Sequence, residues 1–128
     1  MEIGASAEDY LETILVLQKK NGMVRSIDIA NHMSFSKPTI SIQMKRFSEN
    51  GYITFDENRN IHLTEKGNEI ALRIHARHTL LVDVLIAIGV NEEQAYEDAC
   101  KIEHNISQET FECIKKFYKG CEKCSRSK

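Results

Sequence analysis

Cys100, Glu103 and His104 stand at i, i+3 and i+4, a spacing that puts all three side chains on one face of a helix about one turn apart. A thiolate, a carboxylate and an imidazole converging there are three ligands for a divalent transition metal. The plainer reading is a half-buried cysteine beside a solvated Glu-His pair. Two further features favour metal. Asp9 and Glu12 share a face of an N-terminal helix, and His78 lies within an apolar stretch where burying an imidazole with no polar contact would be costly. A second set of residues suits nucleic acid: Ser36, Lys37, Thr39, Ser41, Gln43, Lys45 and Arg46 are the polar positions of a segment whose Ile40, Met44 and Phe47 recur at helical spacing. Lys45 and Arg46 can meet phosphate, while Thr39 and Gln43 can reach base edges, glutamine pairing with adenine at two atoms. The alternative there is a solvated helix face carrying ordinary charges.

The elements that must position these groups follow from periodicity and caps. Tyr10, Leu11, Ile14, Leu15 and Leu17 predict an amphipathic helix over 7–20, with Ser6 as its cap, Glu8 and Asp9 in its first turn and Gly22 ending it. Ser26 is expected to cap a short helix to Met33. Ser36-Lys37-Pro38-Thr39 opens another that stops at Asn50-Gly51, with Pro38 tolerated where amides have no helical acceptor. The small connection Ser34-Phe35-Ser36 is what a helix-turn-helix needs to lay its second helix in the major groove. The period then changes. Tyr52 to Phe55 and Ile61 to Leu63 are β-prone around the turn-like Asp56 to Asn60, which predicts a hairpin. Thr64-Glu65-Lys66-Gly67 starts a long helix reaching Ile88-Gly89, Asn91 caps one through about His104, and Ser107 caps one through about Tyr118 with Gly120 beyond it. Three helices, a hairpin and three helices predict a mainly α fold, a winged helix-turn-helix DNA-binding domain followed by an all-helical dimerisation domain. We place the first domain at 1–66, the second at 67–120 and a tail at 121–128.

Composition narrows the function classes. The 128 residues are 41% hydrophobic and 28% charged, as expected of a globular chain with a real core. The most apolar stretch, Ile70 to Val90, carries Arg73, His75, Arg77, His78 and Asp83, which argues against a membrane span. The N-terminal residues Met1-Glu2-Ile3-Gly4 lack a basic flank and an apolar signal core, so a cytoplasmic location is expected. Charge is polarised: residues 19–46 hold six Lys/Arg against Asp28 alone, and residues 83–112 hold eight acids against Lys101. The basic segment suits phosphate, and the acidic one suits cations or solubility. A metal-dependent hydrolase using Glu103 as base finds no glycine-rich loop or nucleophile motif to support it, so no enzyme is expected.

The same residues carry a resemblance. The runs Ser6-Ala7-Glu8-Asp9-Tyr10-Leu11-Glu12-Thr13-Ile14, Lys37-Pro38-Thr39-Ile40-Ser41, Leu63-Thr64-Glu65-Lys66-Gly67, Arg77-His78 and Asp98-Ala99-Cys100-Lys101-Ile102-Glu103-His104-Asn105-Ile106-Ser107 occur in the order and spacing of the diphtheria-toxin-repressor and manganese-transport-regulator family. The chain resembles it over roughly residues 6 to 118. The resemblance implies a homodimeric repressor that binds double-stranded operator DNA when a divalent metal sits between its two domains, in the shorter form without a third, small-barrel domain. It implies Asp9, Glu12, His78, Cys100, Glu103 and His104 as metal ligands. Asp9 and Glu12 match the manganese branch, whereas Cys100 matches the iron branch, so the implied site is a hybrid. Val82 and Tyr96 stand where the iron branch's ancillary site has a carboxylate and a histidine, so that version of a second site is expected to be absent.

We therefore expect a metal-activated DNA-binding repressor controlling iron or manganese homeostasis, with Fe(II) favoured by the soft thiolate, Mn(II) as the alternative, and Co(II) or Zn(II) also able to bind. The rival is a helix-turn-helix regulator sensing thiol oxidation through Cys100, or an organic effector. An apolar stripe of Phe111, Ile114, Phe117 and Tyr118 is expected to form the dimer contact, with Cys113 packed in it. Cys121-Glu122-Lys123-Cys124 has the spacing of half a zinc knuckle, with no second pair near it, and free thiols are expected. His32, His62 and His75 are expected to be ordinary residues.

Overall fold

A computed structural model describes residues 4–126, with residue 5 and residues 121–126 in backbone only. The chain divides into two compact units, one ending at Ile74 and one beginning at His75.

The first unit is built on α1 (Ala5–Asn21), whose Leu11 and Ile14 are fully buried. Gly4, not Ser6, is its cap residue; Ser6 lies inside the first turn. α2 (Ser26–Met33) likewise begins one residue early, because the Asp28 carboxylate reaches back to accept the Arg25 N–H at 2.9 Å and leaves Ser26 helical. Ser34 then turns the chain in the left-handed region at φ 59, and α3 (Lys37–Glu49) starts as expected, the Ser36 Oγ accepting the Thr39 N–H at 3.3 Å with Pro38 in the first turn. Ile40, Met44 and Phe47 have no exposed surface, so α3 is held by one face and presents the other to solvent.

Gly51, at φ 82, lets the chain leave α3 for a two-stranded antiparallel wing, β1 (Ile53–Phe55) and β2 (Ile61–Leu63), with Ile53 opposite Leu63 and Phe55 opposite Ile61. The Ile61 N–H also donates to the Val24 carbonyl at 2.6 Å, which ties the wing to the segment before α2. The wing turn is organised by Asp56, which accepts from His62 at 3.0 Å and from the Asn60 and Asn58 backbones at 2.9 Å each. Those donors, His62 first, hold its carboxyl down to about 2. Tyr10, Phe47 and Tyr52 meet in edge contacts at 5.9 and 6.2 Å in the centre of this unit.

α4 (Glu65–Ala87) starts with the Thr64 hydroxyl accepting the Gly67 N–H at 3.2 Å while donating to the Gly51 carbonyl at 2.6 Å. From His75 onward it belongs to the second unit with α5 (Glu92–Ile102) and α6 (Gln108–Arg126). Leu81, Val82, Ala95 and Ala99 are its buried centre, and Ile102, Ile106 and Ile114 pack against them. Asn91 caps α5 and the Ser107 Oγ accepts the Thr110 N–H at 3.1 Å ahead of α6, as expected. α5 ends at Ile102, two residues short of the expected His104, and α6 runs past Gly120. Among the described residues no helix is long and apolar enough to cross a membrane.

Candidate metal centre and nucleic-acid interface

In the second unit one turn of α4 faces the end of α5. His78 Nδ1 lies 2.8 Å from Glu103 Oε2, and Cys100 Sγ lies 3.8 Å from the same nitrogen. One donor atom each from His78, Cys100 and Glu103 falls within 4.8 Å of the others. His104 Nε2 is 3.3 Å from Glu103 Oε1, so each oxygen of this carboxylate faces an imidazole. Glu103 is wholly buried, His78 is partly buried and Cys100 is exposed. Although α5 has ended, Glu103 keeps helical backbone (φ -57, ψ -26), which preserves the one-turn offset from Cys100. Soft and hard donors converging from two elements fit a divalent transition metal, because such an ion neutralises the charges that make this burial expensive.

The other residues singled out from the sequence fall as follows. Asp9 and Glu12 are half-buried on α1 in the first unit. The neighbouring Glu8 is buried and takes Arg73 at 3.0 Å. Val82 is buried in the core of the second unit, and the Tyr96 ring stands 5.6 Å from the His78 ring. The side chains of Cys121 and Cys124 lie outside the described residues. On α3, Ser36, Lys37, Thr39, Ser41, Lys45 and Arg46 are exposed while Gln43 is half-buried.

Two features were not read from the sequence. Ile42, 61% exposed, points outward from the middle of α3; an isoleucine two residues from Ile40 reads as core unless the helix face is known. Arg77 is buried beside His78 and bonds the segment carrying Glu103 and His104. Its neighbourhood also narrows the expected dimer stripe: Phe111 is buried beneath the Arg77 guanidinium, 5.6 Å away, Ile114 is half-buried against the core of the unit, Tyr118 is half-buried and Phe117 is exposed. Cys113 is exposed as well.

Residues 2–61 match the iron-dependent repressor N-terminal DNA-binding domain, and residues 64–128 match the iron-dependent repressor metal-binding and dimerisation domain. This chain belongs to the iron-dependent repressor family. As a member it is a transcriptional regulator and not an enzyme. It is 37% identical over 102 residues to the HTH-type transcriptional regulator MntR of Geobacillus thermodenitrificans, covering 80% of this chain and 72% of that one. It is 33% identical over 110 residues to the transcriptional regulator MntR of Escherichia coli, covering 86% and 71%. The solved manganese regulator SloR superposes with a TM-score of 0.76 at 27% identity, covering 93% of this chain. The chain spans 55% of the length of that structure.

Proposed function

We propose that this family member is a metal-activated repressor in which His78, Cys100, Glu103 and His104 hold a divalent transition metal, with Asp9 and Glu12 supplying the α1 donors that the family resemblance implies. The observation that carries the reading is the convergence of imidazole, thiolate and buried carboxylate within 4.8 Å in a chain whose other half matches a DNA-binding domain. The proposed division is 1–66 for DNA binding, 67–120 for metal binding and dimerisation, and 121–128 as a tail. Ligation that includes α1 donors would link ion binding to operator binding, since whatever stabilises the DNA-competent arrangement is itself bound more tightly by it. The proposed partners are a second copy of the chain and a near-palindromic operator in cytoplasmic DNA.

On α3, Lys37, Lys45 and Arg46 are assigned to phosphate, with Ser36, Thr39, Ser41 and Gln43 available for polar contacts and the outward Ile42 suited to a thymine methyl. Operator binding should therefore require metal and fall steeply with salt. Titration of the chain against operator DNA, anaerobically with reductant, in chelator and in Mn(II), Fe(II), Co(II) and Zn(II), tests this. Equal binding in chelator and in metal overturns it.

The relatives named MntR and a solved manganese-dependent repressor with bound manganese favour Mn(II). The thiolate of Cys100 favours Fe(II), because sulfur is a softer donor than carboxylate. We assign Fe(II) on that ground. Cys100→Glu should raise the affinity for Mn(II) relative to Fe(II), because it replaces a soft donor with a hard one. Competition between the two metals measures it, and an unchanged ratio shows that the sulfur is not a ligand.

A further inference from the structure

We propose that Arg77 is a positioning residue of the metal site, a buried clamp that fixes where Glu103 and His104 present their donor atoms. The proposal rests on the metal reading given above. Arg77 is 8% exposed. Its Nη1 donates to the Glu103 carbonyl at 3.1 Å and to the Ile106 carbonyl at 3.0 Å, and its Nη2 donates to Gln108 Oε1 at 2.9 Å. One guanidinium therefore holds both ends of the connection between α5 and α6 and the first residue of α6. Its Nε is buried with no acceptor. Among the described residues no carboxylate lies within ion-pair distance of Arg77, although a buried charge is costly unless something compensates it.

The compensation comes from the end of α5. The last carbonyls of a helix lack intrahelical donors and carry the negative end of the dipole. Arg77 places a full positive charge against one of them, the Glu103 carbonyl, and so holds the residue whose side chain lies between His78 and His104. Arg77 also precedes His78 on α4, so one turn of helix supplies a donor and anchors the segment bearing two more. Cys100 needs no such anchor, since it sits within α5. Only the planar fork of arginine can serve these acceptors together; a lysine ammonium is a compact donor on a flexible stem.

Cobalt separates the clamp from general stability, because Co(II) bound by a thiolate shows a sulfur-to-metal charge-transfer band that reports Cys100 directly. The full chain, Arg77→Gln, Arg77→Lys and Gln108→Ala are titrated with Co(II) anaerobically, and each apo form is melted in chelator. Arg77→Gln is expected to bind about 10- to 100-fold more weakly, the range for groups that orient metal ligands, while the charge-transfer band persists at saturation. Arg77→Lys is expected to fall between it and the unaltered chain, and Gln108→Ala to lose only a few-fold. Folded Arg77 variants that bind within threefold of the unaltered chain overturn the clamp; if Arg77→Gln does not fold, Arg77→Lys decides by the same threshold. An unaltered chain that binds no Co(II) removes the metal reading itself, and the clamp with it.

Discussion

Gly67→Ala should destabilise the first unit by about 1–2 kcal/mol, even though alanine is the better helix former. Gly67 lies in the first turn of α4, where a Cβ would overlap the carbonyl oxygen of Tyr52 and lie 3.0 Å from its carbonyl carbon and 3.3 Å from Leu63 Cδ2. Two opposing terms decide the sign. Replacing a helical glycine gains up to about 1 kcal/mol, whereas forcing an extra carbon into a packed contact costs about 1–3 kcal/mol and occasionally more. The second wins because the obstacle is backbone that cannot yield. Tyr52 is 4% exposed, its N–H donates to the Phe47 carbonyl at 2.9 Å, and the overlapped carbonyl already accepts the Thr64 N–H at 3.1 Å. Relief requires parting α4 from the base of the wing. Thermal unfolding should show a midpoint lower by roughly 10 °C, at the 4–8 °C per kcal/mol of a domain this small. Gly120→Ala, where nothing lies within 4 Å, is the matched control and should be neutral or mildly stabilising. A Gly67→Ala chain that melts with the unaltered one would mean that α4 and the wing do not meet as closely as described.

Signals confined to a few neighbouring residues were legible in the sequence. Ser36 with Pro38, Asn91 and Ser107 mark three helix starts because a cap acts within one turn, and Asn50-Gly51 marks a stop because Gly51 adopts a positive φ. The start of α2 falls one residue before the expected position for an equally local reason, namely that the Asp28 carboxylate reaches the Arg25 amide and leaves Ser26 helical, whereas α1 starts after Gly4 with no side-chain cap to mark it. The end of α5 was not legible. Ile102-Glu103-His104-Asn105 contains no glycine or proline, and what ends the helix is the Asn105 amide donating to the Lys101 carbonyl at 2.6 Å together with Arg77, which is 26 positions away from Glu103. Tertiary contacts also decided Phe111. Its spacing with Ile114 and Phe117 suggests one continuous apolar stripe, but a cation from α4 covers the first of them. The spacing of Cys100, Glu103 and His104 pointed to chemistry from sequence alone, whereas the meeting of Glu103 with His78, 25 positions away, required the fold.

Glu103→Gln should abolish the metal response while leaving the second unit folded. The carboxylate is fully buried and touches His78 at 2.8 Å and His104 at 3.3 Å. Glutamine keeps its volume and can accept from one imidazole while donating to the other, so the metal-free chain should lose no more than about 1–2 kcal/mol, the scale of one altered buried hydrogen bond. What the substitution removes is the negative charge that offsets a divalent cation, and no polar amide replaces that. Groups that merely orient a ligand are worth about 10- to 100-fold in affinity, so an anionic donor at the centre of the set should be worth at least about 100-fold. Stability linkage makes the difference large. At a metal concentration 100 times the dissociation constant, the unaltered chain gains about 2.7 kcal/mol on binding, whereas a variant weakened 100-fold gains only about 0.4 kcal/mol at the same concentration. Melting both chains in chelator and in Mn(II) or Co(II) measures the two quantities separately, the chelator melt giving the cost to the fold and the metal-induced rise giving the site. Operator binding by the variant should then be weak and indifferent to metal. If Glu103→Gln instead melts higher in metal by as much as the unaltered chain, Glu103 is a structural hydrogen-bonding group, and the ion must be held without the one buried carboxylate that faces both imidazoles.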